Sequence, residues 1–201
     1  MASDFLQDFI LTFVPLFIVI DALGNVPFVI SLSEGMSQPE RHRLVNIAVV
    51  TAALVGLVFL FLGQAVLRLL GISVGSFAIA GGIILVILSI KYMTTGHMVE
   101  ATREEMVAVV PMGTPLTVGP ATITTLILLA LQYPIYIVLL SFLLNIVIAW
   151  IIFRQSDSIS RFMGRGGLKA FSQVFNLLLA AIGVSMVLRG LDLVGMFKLT
   201  L

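Results

Sequence analysis

Long runs of residues without a single charge constrain this chain more than any other feature. Three of these runs are long enough to cross a bilayer as helices, which takes about 20 apolar residues: 44–67, 69–90 and 170–188. Residues 106–153 form a longer run that is interrupted by the polar, proline-containing stretch 132–134, so we predict two helices there. The largely apolar residues 9–33 bring the predicted number of spans to six.

The composition leaves a membrane protein as the only fitting class. Of the 201 residues, 60% are hydrophobic and 10% are charged, whereas a soluble domain averages about 25% charged residues. The apolar runs are continuous rather than alternating, which favours helices over a membrane barrel. We predict an all-α, polytopic membrane protein with a single transmembrane domain over residues 1–201. The lack of cysteine excludes disulfides, and a net charge of +1 gives no reason to expect a nucleic-acid partner.

The chain reads as two related halves, residues 5–95 and 106–191. The first span of each half carries a helix-breaking motif, with Gly24 and Gly119 separated by 95 positions. Each half contains three predicted spans, and because three is odd, the second half enters the membrane from the opposite side. An inverted repeat in which a broken helix opens each half is a recurring plan of secondary transporters, with the substrate near the midplane.

The first break is the sequence Asp21-Ala-Leu-Gly-Asn-Val-Pro27. We expect Gly24 to take the positive φ that ends the preceding helix, or to let a ligand approach the backbone closely. We expect Asn25 to cap the following helix, with Pro27 in its first turn. Asp21 is the only Asp, Glu, Lys or Arg inside a predicted span. Such a residue is costly in a membrane and indicates function, unless it only accepts hydrogen bonds from the exposed N–H groups of the break.

The second break follows the same pattern, with Gly119 before Pro120 and threonines on both sides. Each break leaves a helix N-terminus with unpaired N–H groups inside the membrane, where it suits a carboxylate, while the opposed C-terminal carbonyls suit an ammonium or another cation. Two such breaks offer complementary partners to a zwitterion. The alternative is a pair of proline kinks satisfied by neighbouring Ser and Thr side chains. Similarly, Asn145 either lines a cavity or bonds a neighbouring helix.

Two sets of residues follow from this interpretation. The predicted substrate-binding residues are Asp21, Gly24, Asn25, Thr117, Gly119 and Thr122. The predicted hinges are the prolines beside the breaks: Pro15, Pro27, Pro111, Pro115 and Pro120.

Four stretches of the chain resemble the MarC family of membrane proteins, which includes transporters of small neutral amino acids. They are IDALGNVPF with the following SLSEGMSQPERHR, FAIAGGIILVILSIKYM, VPMGTPLTVGPATITTLI and GRGGLKAFSQVFNLLLAAIGVSMVLRGL. The resemblance covers nearly the whole chain. The resemblance implies six helices in an inverted repeat and, in some members, transport of glycine, alanine and similar amino acids.

The break motifs of that family carry over residue by residue. Its Asp-x-x-Gly-Asn-x-Pro element falls on Asp21, Gly24, Asn25 and Pro27, and its Ala-Gly-Pro-Gly element falls on Val118, Gly119, Pro120 and Ala121. Ala22 stands where proline is usual, and Ala121 stands where a second glycine is usual. Both departures lie at the breaks, so they bear on the substrate range more than on the fold.

These observations favour a secondary transporter of small neutral amino acids, coupled to a proton or another cation. The sequence lacks the P-loop of an ATPase, the paired carboxylates of an intramembrane aspartyl protease and the HExxH motif of a zinc enzyme. We therefore expect no enzyme activity, no metal site and no cofactor. The remaining alternative is a channel or a non-transporting membrane partner protein.

The basic residues divide unequally between the two sides of the predicted topology. Eight fall on one side: Arg41, Arg43, Lys91, Arg103, Arg154, Arg161, Arg165 and Lys169. Three fall on the other: Arg68, Arg189 and Lys198. Because basic loops stay in the cytoplasm, we expect a plasma (inner) membrane protein with both termini outside and cytoplasmic loops at residues 34–43, 94–105 and 154–169.

Reporter fusions test this topology. A periplasmic reporter joined after Lys198 and a cytoplasmic reporter joined after Arg161 are both expected to be active, because the two positions lie on opposite sides. A cytoplasmic signal at Lys198 together with an external signal at Arg161 would reverse the assignment.

Overall fold

The computed structural model describes residues 2–33, 35–95 and 118–196, and this part of the chain is helical apart from its connections. The helices are α1 (Ala2–Ile20), α2 (Val26–Leu32), α3 (Gln38–Leu69), α4 (Val74–Thr95), α5 (Pro120–Gln132), α6 (Ile135–Arg154) and α7 (Ser156–Leu193). The predicted Thr117, Pro111 and Pro115, and most of the predicted loop at 94–105, lie outside the described residues. The all-helical, polytopic architecture agrees with the prediction.

Four helices of the described chain are long and apolar enough to span a bilayer. They cover Gln38–Leu69, Val74–Lys91, Ile135–Arg154 and Gly166–Leu193. Only 28–39% of the residues in their most apolar windows are buried within the protein, so most of their apolar side chains face outward, as lipid contact requires. Three shorter helices, α1, α2 and α5, make up the remaining apolar part.

The ends of several helices follow local sequence signals. The charge-free run 106–153 divides as predicted, because α5 ends at Gln132 and α6 begins at Ile135. Gly71, with φ of 66°, separates α3 from α4, and Gly164, with φ of 64°, interrupts the start of α7. A positive φ is inexpensive only for glycine, so Gly71 allows the turn after α3 and Gly164 allows a kink inside α7.

Pro15 does not break the first helix. It was predicted as a helix break or hinge. Helix α1 continues from Ala2 to Ile20 with Pro15 inside it, so the break is not at Pro15, and its role as a hinge stays a prediction. Proline removes one N–H donor, so only the carbonyl of Leu11, four residues earlier, loses its intrahelical partner. The actual break lies between Ile20 and Val26.

The closest helix pair is α4 with α7, and glycines make it possible. A Cβ atom on Gly82 would lie 2.4 Å from the carbonyl oxygen of Gly183, and one on Gly190 would lie 2.7 Å from the carbonyl oxygen of Gly75. The N-terminal part of α4 therefore meets the C-terminal part of α7, so the two helices are antiparallel. Small residues allow the backbones of membrane helices to approach in this way.

The contacts of the other helices define how the bundle is assembled. Helix α1 packs mainly on α6 and also on α5, α3 packs on both α5 and α6, and α2 packs mainly on α7. Helix α5 also contacts α4. The interior between these helices holds a continuous core that includes Leu16, Ala52, Leu126 and Phe142.

An ion pair ties the two halves of the chain together at one end of the bundle. The Arg41 guanidinium, at the start of α3, donates to the carboxylate of Asp157 and to the hydroxyl of Ser156 at 2.5 Å. Arg41 is buried, and its Nε has no partner among the described residues. The beginning of α3 and the junction of α6 with α7 therefore lie at the same end, as expected for the predicted loops at 34–43 and 154–169.

We expect Arg41→Ala to lower the stability of the protein, because it removes two charge-assisted hydrogen bonds between distant parts of the chain. The loss should be about 1.5–3 kcal/mol, the range of hydrogen bonds to charged groups. Thermal unfolding of the purified protein in detergent measures it. Arg43→Ala, at an exposed position on the same turn, is the matched control. Equal melting temperatures for the two variants would contradict a stabilising role of Arg41.

Candidate functional site

Helix α1 ends because Asp21 leaves the helical conformation. Its φ is 43°, the only positive φ of a non-glycine residue in the part of the chain that the structure describes. Aspartate tolerates this left-handed region better than most residues do. Residues 22–25 then form a turn, and the N–H of Asn25 donates to the carbonyl of Asp21 at 3.1 Å.

The carboxylate of Asp21 folds back over this turn. Its Oδ1 accepts a hydrogen bond from the N–H of Gly24 at 3.0 Å, and the residue is only 3% exposed. A Cβ on Gly24 would lie 2.1 Å from Asp21 Oδ2. Gly24 was expected to supply a positive φ or room for a ligand, but the positive φ belongs to Asp21. The group that approaches Gly24 closely is the Asp21 side chain itself.

Asn25 serves the preceding helix rather than the following one. It was expected to cap the N-terminus of α2, but its Nδ2 donates to the carbonyls of Ile20 at 3.2 Å and Asp21 at 3.0 Å. The reason is that the last carbonyls of α1 have no intrahelical donor and an amide NH₂ can supply two. Asn25 is 3% exposed, and Pro27 lies in the first turn of α2 as predicted.

The second break is more open on its described side. Gly119 precedes α5 with φ of −87° and ψ of −175°, and its carbonyl accepts the N–H of Ile123 at 3.1 Å. Among the described atoms, none lies within 4 Å of the position that a Cβ on Gly119 would take. Thr122 follows one turn later and is buried. The N-terminus of α5, with the positive end of its dipole, therefore begins inside the bundle.

The described parts of the two breaks are neighbours. Helices α1 and α5 are in contact, and Val19 at the end of α1 belongs to the same buried cluster as Ala121 at the start of α5. The structure therefore brings the turn with Asp21, Gly24 and Asn25 to the side of the α5 N-terminus. No three His, Asp or Glu residues come together as metal ligands anywhere in the described ranges.

A polar contact between α1 and α6 lies beyond the predicted site. Asn145 Nδ2 donates to the carbonyl of Phe13 at 3.2 Å, and the hydroxyls of Thr12 and Ser141 are 2.7 Å apart. Asn145 was expected either to line a cavity or to bond between helices, and the structure has it bonding between helices. Its Oδ1 is buried with no partner among the described residues.

Sequence reasoning missed a cavity of about 160 Å³ at the other end of α5. It lies between α1, α4, α5 and α7, and none of the predicted substrate-binding residues lines it. Its polar wall consists of Thr125, Gln132, Tyr133, Ser185 and Arg189. The sequence marked Arg189 only as a basic residue that bears on topology. Its role at the cavity depends on a contact with Gln132, 57 positions earlier in the chain, which no local pattern indicates.

We expect Gly24→Ala to destabilise the protein, because the added methyl group would occupy the place of the Asp21 carboxylate. Overpacking of this kind costs about 1–3 kcal/mol, measurable by thermal unfolding in detergent. Gly119→Ala is the matched control at the other break, where the described surroundings leave room and φ suits alanine. The double variant Asp21→Gly/Gly24→Ala should regain stability, since glycine removes the carboxylate and accepts the positive φ. A melting temperature for Gly24→Ala equal to that of Gly119→Ala would refute this account.

Comparison with known proteins identifies the family. The model of the MarC family integral membrane proteins matches residues 6–195. A UPF0056 membrane protein of Archaeoglobus fulgidus is 33% identical, with 94% of each chain covered. A UPF0056 membrane protein of Methanocaldococcus jannaschii is 31% identical, covering 92% of this chain and 97% of the relative.

The UPF0056 inner membrane protein YhgN of Escherichia coli K12 is 32% identical, covering 88% of this chain and 92% of the relative. No solved structure gives a significant match. The family match spans both helix breaks and nearly the whole chain. This chain therefore belongs to the MarC family of integral membrane proteins.

Proposed function

We propose that the protein is a secondary transporter of small neutral amino acids such as glycine and alanine, coupled to a proton or another cation. The observation that carries the proposal is the buried turn of Asp21, Gly24 and Asn25 beside the N-terminus of α5, inside an apolar bundle. Irregular backbone at such a place is tolerated where it is enclosed by protein or lines a cavity, and it recurs at the substrate sites of transporters.

The helix packing supports an inverted repeat of residues 5–95 and 106–191. Because Gly24 corresponds to Gly119, α2 corresponds to α5, α3 to α6 and α4 to α7. Exchanging the two halves turns the contact of α2 with α6 into the contact of α5 with α3, and both contacts are present. The exchange also turns the contact of the first broken segment with α7 into that of α4 with α5, and again both are present. The pair of α4 and α7 maps onto itself. This is the pattern that a two-fold axis in the membrane plane would produce.

The two broken helices offer different partners to a zwitterion. At the α5 N-terminus, near Gly119 and Thr122, the positive end of the helix dipole suits a carboxylate. At the end of α1, the carbonyls of Ile20 and Asp21 suit an ammonium group, although Asn25 already donates to both. Ala22 and Val118, which adjoin the two breaks in the sequence, belong to one buried core.

The role of Asp21 divides into two alternatives. Its Oδ1 holds the turn through the Gly24 N–H, which is a structural role. Its position as a buried carboxylate within an apolar segment suits proton or cation coupling. In the second alternative, the carboxylate stabilises the coupling ion while the backbone holds the substrate.

The proposed location is the plasma membrane, with both termini outside. The E. coli relative YhgN is named an inner membrane protein. The excess of basic residues in the proposed cytoplasmic loops supports the orientation, and Arg41 and Asp157 join two of these loops at one end.

Flux into proteoliposomes tests the function. The parent protein should show saturable uptake of labelled alanine and counterflow against unlabelled glycine. We expect Asp21→Asn to fold, because its amide oxygen can still accept the Gly24 N–H, but to lose dependence on the ion or proton gradient. We expect Asn25→Leu to lower alanine uptake by about tenfold or more, since it removes the side-chain donor to the Ile20 and Asp21 carbonyls and leaves Asp21 with only the backbone N–H of residue 25.

Two variants serve as controls for these measurements. Asn46→Leu makes the same change on the exposed face of the helix bundle, where Asn46 accepts a hydrogen bond from Trp150. Ser89→Ala changes a residue whose hydroxyl bonds only within its own helix in the described structure. Both should transport like the parent. Ion current without saturable uptake would indicate a channel, and neither activity would indicate a non-transporting partner protein. Normal coupled flux in both break variants would leave the break as a kink and Asp21 as its structural support.

A further inference from the structure

We infer that the cavity at the end of α5 is an outer binding site for a zwitterionic amino acid, separate from the helix breaks. Arg189 would take the carboxylate there, and the Leu11 carbonyl, freed by Pro15, would take the ammonium group. The inference rests on the proposed transport function in its choice of ligand, but its site shares no residue with the site at the breaks.

The size of the cavity restricts its occupant. Pockets for drug-sized ligands enclose about 300–1,000 Å³, whereas this cavity has about 160 Å³. Its walls combine apolar side chains such as Leu128 and Met186 with the polar groups of Thr125, Tyr133 and Ser185. A small molecule with a polar end and a short apolar part fits this lining.

Arg189 provides the charge that selects a carboxylate. It lies at the exposed mouth of the cavity, where its Nη1 donates to Gln132 Oε1 at 2.9 Å. That bond joins a cation to a neutral amide, and a carboxylate can bind a guanidinium through two stronger, charge-assisted bonds. Gln132 thus holds the Arg189 guanidinium at the mouth of the cavity, and a carboxylate ligand would replace Gln132 as its acceptor.

Pro15 gives the opposite wall an acceptor. Proline has no N–H, so the Leu11 carbonyl lacks the donor that a residue four positions later normally supplies. Leu11 and Pro15 both line the cavity. A free carbonyl in a membrane helix needs a donor from elsewhere, and an ammonium group supplies up to three. This accounts for a proline inside a helix that it does not break.

An apolar layer separates the cavity from the breaks. Val19, Ala121 and Met186 form one buried cluster with Ala78 and Leu128, which also line the cavity. Pro15 precedes Asp21 by six residues, and Thr125 follows Gly119 by six. At 1.5 Å per residue, Pro15 and Thr125 on the cavity wall each lie roughly 9 Å along the helix from the nearer break. A ligand in the cavity would therefore lie between the outer end of the bundle and the two breaks.

Cysteine labelling tests the site directly, because the chain has no cysteine of its own. Ser185→Cys should react with a membrane-impermeant methanethiosulfonate, and alanine should protect it. Ser76→Cys, exposed at the same end but outside the cavity lining, should react without protection. The readout is the concentration of alanine, propionate or alaninamide that halves the labelling rate.

Two further changes in the Ser185→Cys protein separate the partners of the ligand. Arg189→Gln should raise the protecting concentration of both alanine and propionate by about tenfold or more, and Arg189→Lys should restore part of the effect. Pro15→Ala should raise it for alanine alone, because the restored N–H occupies the Leu11 carbonyl while propionate has no ammonium. Pro15→Ala should also be at least as stable as the parent, which excludes unfolding as the cause.

Labelling and flux distinguish this inference from the proposed function. Flux with no alanine protection of Ser185→Cys would overturn the outer site and leave the transporter intact, with Arg189 as a membrane-surface anchor. Protection that depends on Arg189 and Pro15 in a protein without flux would support the outer site and refute transport. Protection by alaninamide equal to that by alanine would overturn the role of Arg189 as the carboxylate partner.

Discussion

Lipid provides no partner for a backbone N–H or C=O group, and the first segment can be broken only because the break supplies its own partners. Asn25 donates to the last two carbonyls before the turn, and the Asp21 carboxylate accepts the N–H of Gly24. The same carboxylate excludes any residue larger than glycine at position 24. Three side-chain identities are thus linked, and the direction of α2 relative to α1 depends on all of them.

The two breaks differ in which side chains lie beside their glycines and cap their helix ends. At the first, the space beside Gly24 is taken by Asp21 and the helix end is capped by Asn25. At the second, no described atom crowds Gly119, and the N-terminus of α5 has no side-chain cap. A self-satisfied turn beside an uncapped helix N-terminus is an asymmetric site.

Helix positions were predictable from the sequence because charges and prolines limit where an apolar helix can run. The split at residues 132–134 and a break within residues 21–27 follow from that rule. The end of α1 at Ile20, the positive φ at Asp21 rather than Gly24, and the bonding of Asn25 to the preceding helix were not predicted, because they depend on which residue adopts a positive φ and on where one side chain points. The Arg41–Asp157 pair and the cavity at Arg189 depend on contacts between distant residues, which no local pattern specifies.

The two ends of the bundle differ in a way that suits alternating access. At the end with Arg41, an ion pair joins α3 to the start of α7, and at the other end a cavity opens between α1 and the end of α7. Asp157 is 38% exposed on its side chain, so water can solvate it when the pair separates, which keeps the cost below that of a fully buried pair. Helix α2 packs mainly on α7, whereas α1 packs mainly on α6. The turn at Asp21–Asn25 therefore connects two helices with different packing partners, and in the proposed transport mechanism it is where the first segment would bend.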